Sequence, residues 1–133
     1  MIRGRLLILT VGLSFVVASP ILRAHHSEAA EYDATKPVRI TGTLSKVEWA
    51  NPHVWFYVDV TEGGKVTTWG FSTQPPGALM RRGVTKDALK IGAVVNVEGI
   101  RARDGSNNGS MRRMTFADGT QVLTPAESAR WRR

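Results

Sequence analysis

Side chains that alternate along a run with a glycine inside it most constrain what this chain can fold into. Val38, Ile40, Gly42 and Leu44 fall on one side, and Arg39, Thr41, Thr43 and Ser45 on the other. A period of two over such a run specifies a half-buried strand. Glycine inside a strand marks a bulge, a bend or a close approach of backbones, as happens where sheets close into barrels. Val47 and Trp49 then fall out of phase with the series, which predicts a bulge near Ser45-Lys46 that re-aims the face.

The remaining elements follow the same logic. After the turn signal Asn51-Pro52, a second strand is predicted from His53 to Val60, with Val54, Phe56, Val58 and Val60 inward and His53, Trp55, Tyr57 and Asp59 outward. Glu62-Gly63-Gly64-Lys65 is a tight hairpin connection, and Val66 to Ser72 returns, with Trp69 and Phe71 on the side of Thr67. Pro75-Pro76-Gly77 ends that strand. Two short helical turns follow, Ala78 to Arg82 closed by Gly83 and Lys86 to Lys90 behind Thr85, closed by Gly92. Ala93 to Arg101 reads as a strand containing Gly99, Asp104 to Ser110 as a loop, and Met111 to Phe116 with Thr120 to Leu123 as a hairpin about Asp118-Gly119. Thr124-Pro125-Ala126-Glu127 is a capping box that predicts a short C-terminal helix or tail over 125–133. Three strands, a helical connection and two strands is the order of an all-β, five-stranded OB-type barrel over residues 38–124, with the helix between strands three and four. An open β-sandwich is the rival; glycines inside strands one and four favour the barrel.

The N-terminus is written for export. Arg3 and Arg5 precede an apolar run from Leu6 to Ala18, Ser19-Pro20 interrupts it, and Leu22-Arg23-Ala24 offers a small-residue cleavage site. This is the order of a signal peptide over 1–24. A membrane span is less well served, since it needs about 20 apolar residues and Pro20 and Arg23 intervene. The expected location is periplasmic or secreted, with no membrane association after cleavage. Val16-Val17-Ala18 and Ser27-Glu28-Ala29 also satisfy a small-residue rule. Residues 25–37 have no apolar period and read as an extended N-terminal arm. The chain has no cysteine, which excludes a lipoprotein, a disulfide scaffold and a thiol enzyme. Its net charge of +7 includes the leader's Arg3, Arg5 and Arg23, so the mature excess is mild and, together with export, gives an expectation of no nucleic-acid partner.

The chain resembles a family of small exported bacterial proteins of unknown function. The shared wording is Ala24-His25-His26-Ser27, Gly42-Thr43-Leu44 leading to Val47-Glu48-Trp49, Asn51-Pro52-His53-Val54, Arg81-Arg82-Gly83 with Leu89-Lys90, and Val97-Glu98-Gly99 before Arg101-Ala102-Arg103-Asp104-Gly105-Ser106. The family's usual wording places an aromatic residue where this chain has Glu28. The resemblance implies a periplasmic or secreted OB-like barrel and brings no activity with it.

Enzymatic templates do not fit. There is no Gly-x-Ser-x-Gly elbow, and Gly63-Gly64-Lys65-Val66-Thr67 joins two strands and lacks the earlier glycine of a phosphate loop. The expectation is a non-enzymatic module that binds a small ligand or metal ion. If cleavage follows Ala24, His25 presents an α-amine and an imidazole, His53 offers a second imidazole and His26 a spare one. Three nitrogens suit copper, which nitrogen sites bind most tightly among first-row divalent metals. This looks like a histidine brace. The ordinary reading of the same residues is solvated or hydrogen-bonded surface histidines. The alternative function is an interaction module for a glycan, a peptide or a periplasmic protein. Its site would be an aromatic face of Trp49, Trp55, Tyr57 and Trp69, where OB barrels stack their ligands. Against it stands a second small core formed over those rings by the arm or the tail.

Overall fold

The computed structural model describes residues 27–123. The segment expected to be a signal peptide, His25, His26 and the tail over 125–133 lie outside the described residues. One helical turn, α1 (Glu28–Glu31), leads into a long strand β1 (Tyr32–Glu48), followed by β2 (Trp55–Glu62) and β3 (Lys65–Ser72). A short helix α2 (Pro76–Arg81) and a 3-10 turn (Lys86–Ala88) then lead to β4 (Val94–Ala102), β5 (Asn108–Phe116) and a three-residue β6 (Gln121–Leu123).

Strand pairing closes the ring. The sheet runs β3-β2-β1-β4-β5-β6, and β3 also pairs with β5, in parallel, through Gly70, Phe71 and Ser72 opposite Asn108, Gly109 and Ser110. The five-strand barrel with its helical connection between β3 and β4 is therefore the fold, with β6 added to β5 by the Asp118-Gly119 hairpin. Closure removes the open edges that a sandwich would leave.

β1 makes this possible by serving two partners. Its earlier part pairs with β4 as far as Thr43 opposite Val94, and its later part pairs with β2 from Thr43 opposite Asp59 to Glu48 opposite Trp55. At the handover the strands crowd: a Cβ on Gly42 would lie 2.4 Å from the Asp59 carbonyl oxygen. The register shifts between Leu44 and Lys46. Ser45 is the extra residue, and it turns Val47 to the side of Leu44, which explains the broken alternation.

Two boundaries differ from the sequence expectation. The arm over 25–37 is paired backbone from Tyr32, which stands opposite Ala102, while the register slips between Asp33 and Pro37. The slipped residues destroy the period of two, so the strand start is invisible as a pattern. β5 begins at Asn108, inside the expected loop, because Gly109 lies against Phe71 rather than in a turn: a Cβ there would be 2.9 Å from Cε1 of that ring.

The core is one cluster. Leu44, Val54, Phe56, Val58, Phe71, Val95 and Met114 are fully buried, with Val97 and Met111 nearly so, and the β3–β4 connection adds Leu79, Val84 and Leu89. Gly83, after α2, and Gly92, in the turn that leads into β4, have φ 82 and 89, the left-handed conformation glycine adopts without strain. Among the described residues no helix is long and apolar enough to cross a membrane.

Candidate ligand-binding face

In an OB barrel the ligand face is that of strands two and three, flanked by the loops between strands one and two and between strands four and five. Here those loops are residues 49–54 and 103–107. Residues directly opposite each other in an antiparallel pair share a face. Tyr57 stands opposite Gly70 and Val58 opposite Trp69, so Trp69 lies on the side of buried Val58 and Phe71.

The four-ring face is thus two pairs. Trp49 and Trp69 pack against the core, Trp69 stacking on Phe71 at 6.0 Å between ring centres and 15° between planes. Trp49 is brought inward by the same bulge that turns Val47. Trp55 and Tyr57 remain on the outer face, half-buried, with centroids 6.4 Å apart and planes 23° from parallel. The spacing of Trp69 and Phe71 carried the signal that Trp69 belongs inside.

The two outer rings rest beside a missing side chain. A Cβ on Gly70 would meet Asn108 Oδ1 at 2.6 Å, Tyr57 Cε1 at 3.4 Å and Trp55 Cε3 at 3.6 Å. Glycine therefore lets the Asn108 amide lie against the sheet between the two rings. Tyr57 is fixed at its rim: its hydroxyl donates to Glu48 Oε2 at 3.0 Å, and Lys46 Nζ sits 5.2 Å from its ring centre, within cation–π range. Partial burial, and then the Glu48 carboxylate, raise the Tyr57 hydroxyl above its ordinary pKa. Hydrogen bonds from Lys46 and Tyr57 hold Glu48 below the usual carboxylate range. Both groups keep the proton states that the hydrogen bond needs.

A groove of about 350 Å³ continues from Trp55, lined by Glu31, Tyr32, Arg103, Asp104 and Asn108. Arg103 and Asp104 belong to the β4–β5 segment, which by sequence reads as a connecting loop; its density of Asp, Ser and Asn is the one local signal of a site there. The loop is held from within. Ser106 N–H donates to Asp104 Oδ1 at 2.9 Å, Asn108 Nδ2 donates to Ser106 Oγ at 3.1 Å, and Arg101 Nη2 donates to the Gly105 carbonyl at 2.7 Å. Bonds from Ser106, its side chain first and its backbone N–H next, keep Asp104 below the ordinary carboxylate pKa. On the other wall, α1 is tied down by Arg103, whose Nε donates to Ala29 O at 2.9 Å, and by Glu28 paired with Arg112 at 2.7 Å. Tyr32 and Ser72 share a buried hydrogen bond of 2.8 Å below it.

His53 lies in the β1–β2 loop, exposed, and its Nδ1 donates to the Thr73 carbonyl at 2.7 Å. Among the described residues no three His, Cys, Asp or Glu side chains gather as a metal site. His25 and His26 lie outside the described residues, so the structure brings no second histidine to His53.

A family model matches residues 14–112, well over half of the chain. The chain belongs to the DUF6152 family, described as a family of unknown function. No curated protein matches it. Two crystal structures of Rim1, a mitochondrial single-stranded DNA-binding protein from S. cerevisiae, are similar in fold, each with a TM-score of 0.47, at 12% and 9% identity. The similarity covers 65% of this chain and 96% and 95% of theirs. Because these OB-like neighbours are DNA-binding proteins, the expectation of no nucleic-acid partner is withdrawn.

Proposed function

We propose that this protein is an exported, non-enzymatic OB-type binding module whose ligand lies on the Trp55–Tyr57 platform. The observation that carries the reading is the pair of near-parallel rings on the outer sheet face beside Gly70, where a Cβ would touch both rings and displace the Asn108 amide. Such rings offer flat, rigid contact area at low entropic cost. The leader supports a periplasmic or secreted location. The test is a binding screen by tryptophan fluorescence with oligosaccharides, peptides and single-stranded DNA. At least one ligand class should quench the wild type and fail to quench a Trp55→Ala, Tyr57→Ala variant. Trp55→Ala itself should cost about 1 kcal/mol of stability, whereas Phe56→Ala, on the buried side of the same strand, should cost about 3–5 kcal/mol. Equal losses from the two would mean the outer rings are core, and the platform reading would be abandoned.

A second reading, copper binding, is favoured by one feature. Donation from Nδ1 to Thr73 fixes the His53 tautomer and leaves Nε2 as the acceptor, and metal-bound histidines typically have their other nitrogen anchored to a carbonyl or carboxylate in this way. His25, with its α-amine, and His26 would complete the set after cleavage at Ala24. Mass spectrometry of the mature protein should then find His25 first, and Cu(II) should bind at about one per chain by nitrogen chelation that His53→Ala removes. Undiminished copper binding by His53→Ala would reduce the site to a solvated His-His terminus.

A further inference from the structure

We infer that the groove beside Trp55 is a saccharide site, a pyranose ring lying against the indole with its hydroxyls on Asp104, Glu31 and Asn108. The inference rests on the reading of Trp55 and Tyr57 as the binding platform. A pyranose has one face made of C–H groups and a rim of hydroxyls. It therefore needs an apolar plate together with hydrogen-bonding groups set beside that plate. The groove supplies both, because Trp55 forms one part of its lining and Glu31, Asp104 and Asn108 another.

The polarity of that lining selects the ligand further. Ionised carboxylates are acceptors only, with room for about four hydrogen bonds each, so Asp104 keeps acceptor capacity after its bonds from Ser106. Arg103 has its Nε on the Ala29 carbonyl and its Nη1 4.0 Å from Asp33, so the guanidinium is anchored in the groove wall with N–H donors left for ligand oxygens. Carboxylate acceptors beside amide and guanidinium donors call for a ligand rich in hydroxyl groups, which both donate and accept. The volume of about 350 Å³ lies at the lower end of small-ligand sites, which run to roughly 1,000 Å³, and suits one or two sugar rings. The internal hydrogen bonds of the 103–107 loop hold these groups in place before a ligand arrives, which lowers the ordering cost of binding.

The experiment is an NMR titration of the protein, purified as its host processes it, with cellotetraose, maltotetraose and chitotetraose. A decameric peptide and a thymidine oligonucleotide form the other arms. At least one saccharide should shift the Trp55 indole N–H and the Asn108 amide at millimolar concentration. Trp55→Ala should abolish the shifts, and Asp104→Asn, which can still accept from Ser106, should weaken binding at least tenfold with an unchanged melting temperature. No shift with any saccharide, or shifts indifferent to Asp104→Asn, would overturn the inference. If only the peptide or the oligonucleotide binds, and does so through Trp55 and Tyr57, the platform stands and the saccharide assignment falls. Binding of every active probe undisturbed in the Trp55→Ala, Tyr57→Ala variant would remove both.

Discussion

Replacing Phe71 by alanine will lower the unfolding free energy by about 3–5 kcal/mol, a large part of what a domain of this size has. Phe71 is fully buried on β3, at the point where that strand closes the barrel on β5. Its ring passes over two glycines on neighbouring strands, with its Cε1 3.4 Å from the Cβ position of Gly99 and 2.9 Å from that of Gly109. Neither glycine has a side chain with which to refill the space, so the cavity stays open and the full cost is felt. Thermal unfolding followed by circular dichroism should show a fall of at least about 12 °C. A loss under about 1 kcal/mol would mean that the seam is not held by this ring.

Gly99→Ala is expected to be nearly as damaging for the opposite reason. A Cβ at this position would lie 2.4 Å from the carbonyl oxygen of Ser110. The obstacle is backbone on the adjacent strand, at a point where the β4–β5 register already shifts between Glu98 and Gly99. It cannot rotate aside as a side chain would. Overpacking ordinarily costs about 1–3 kcal/mol, and the upper end is expected here because relief requires the ladder to part. The control is Gly77→Ala in α2, where the nearest atom to the new Cβ is the flexible Arg81 guanidinium at 3.6 Å. That substitution should be neutral or should stabilise by about 0.5–1 kcal/mol, because alanine suits a helix better than glycine. Denaturant titrations of the two variants side by side check the pair; a similar effect from both would show that glycine entropy, not close approach, sets the outcome.

These glycines also show where sequence reasoning was strong and where it stopped. Gly42 and Gly99 inside period-two runs pointed to close approach and hence to a barrel, and the structure puts a neighbouring carbonyl oxygen at each. Gly109, in a stretch of Gly, Ser and Asn, read as loop. Its real reasons are the Ile100 carbonyl on the paired strand and the Phe71 ring, the latter far away in the chain, and no local pattern encodes those contacts. The same limit applies to the arm: Tyr32 pairs with Ala102 across the sheet, a non-local pairing without local periodicity.

The candidate site divides along the same line. Alternation alone placed Trp55 and Tyr57 opposite Phe56 and Val58, and the broken phase at Val47 and Trp49 announced the bulge. Local sterics dictate such patterns, because successive side chains of a strand must point to opposite faces. The sequence therefore determined the order of the strands, the inward face of β2, the hairpin glycines and the position of the helical connection. Only the tertiary structure decided which rings share a face, that Gly70 is the floor between them, and that Glu31, Asp104 and Asn108 meet Trp55 in one groove. Those relations depend on register across β2–β3, β1–β4 and the closing β3–β5 seam, which is fixed by packing between residues far apart in the chain rather than by any pattern along it.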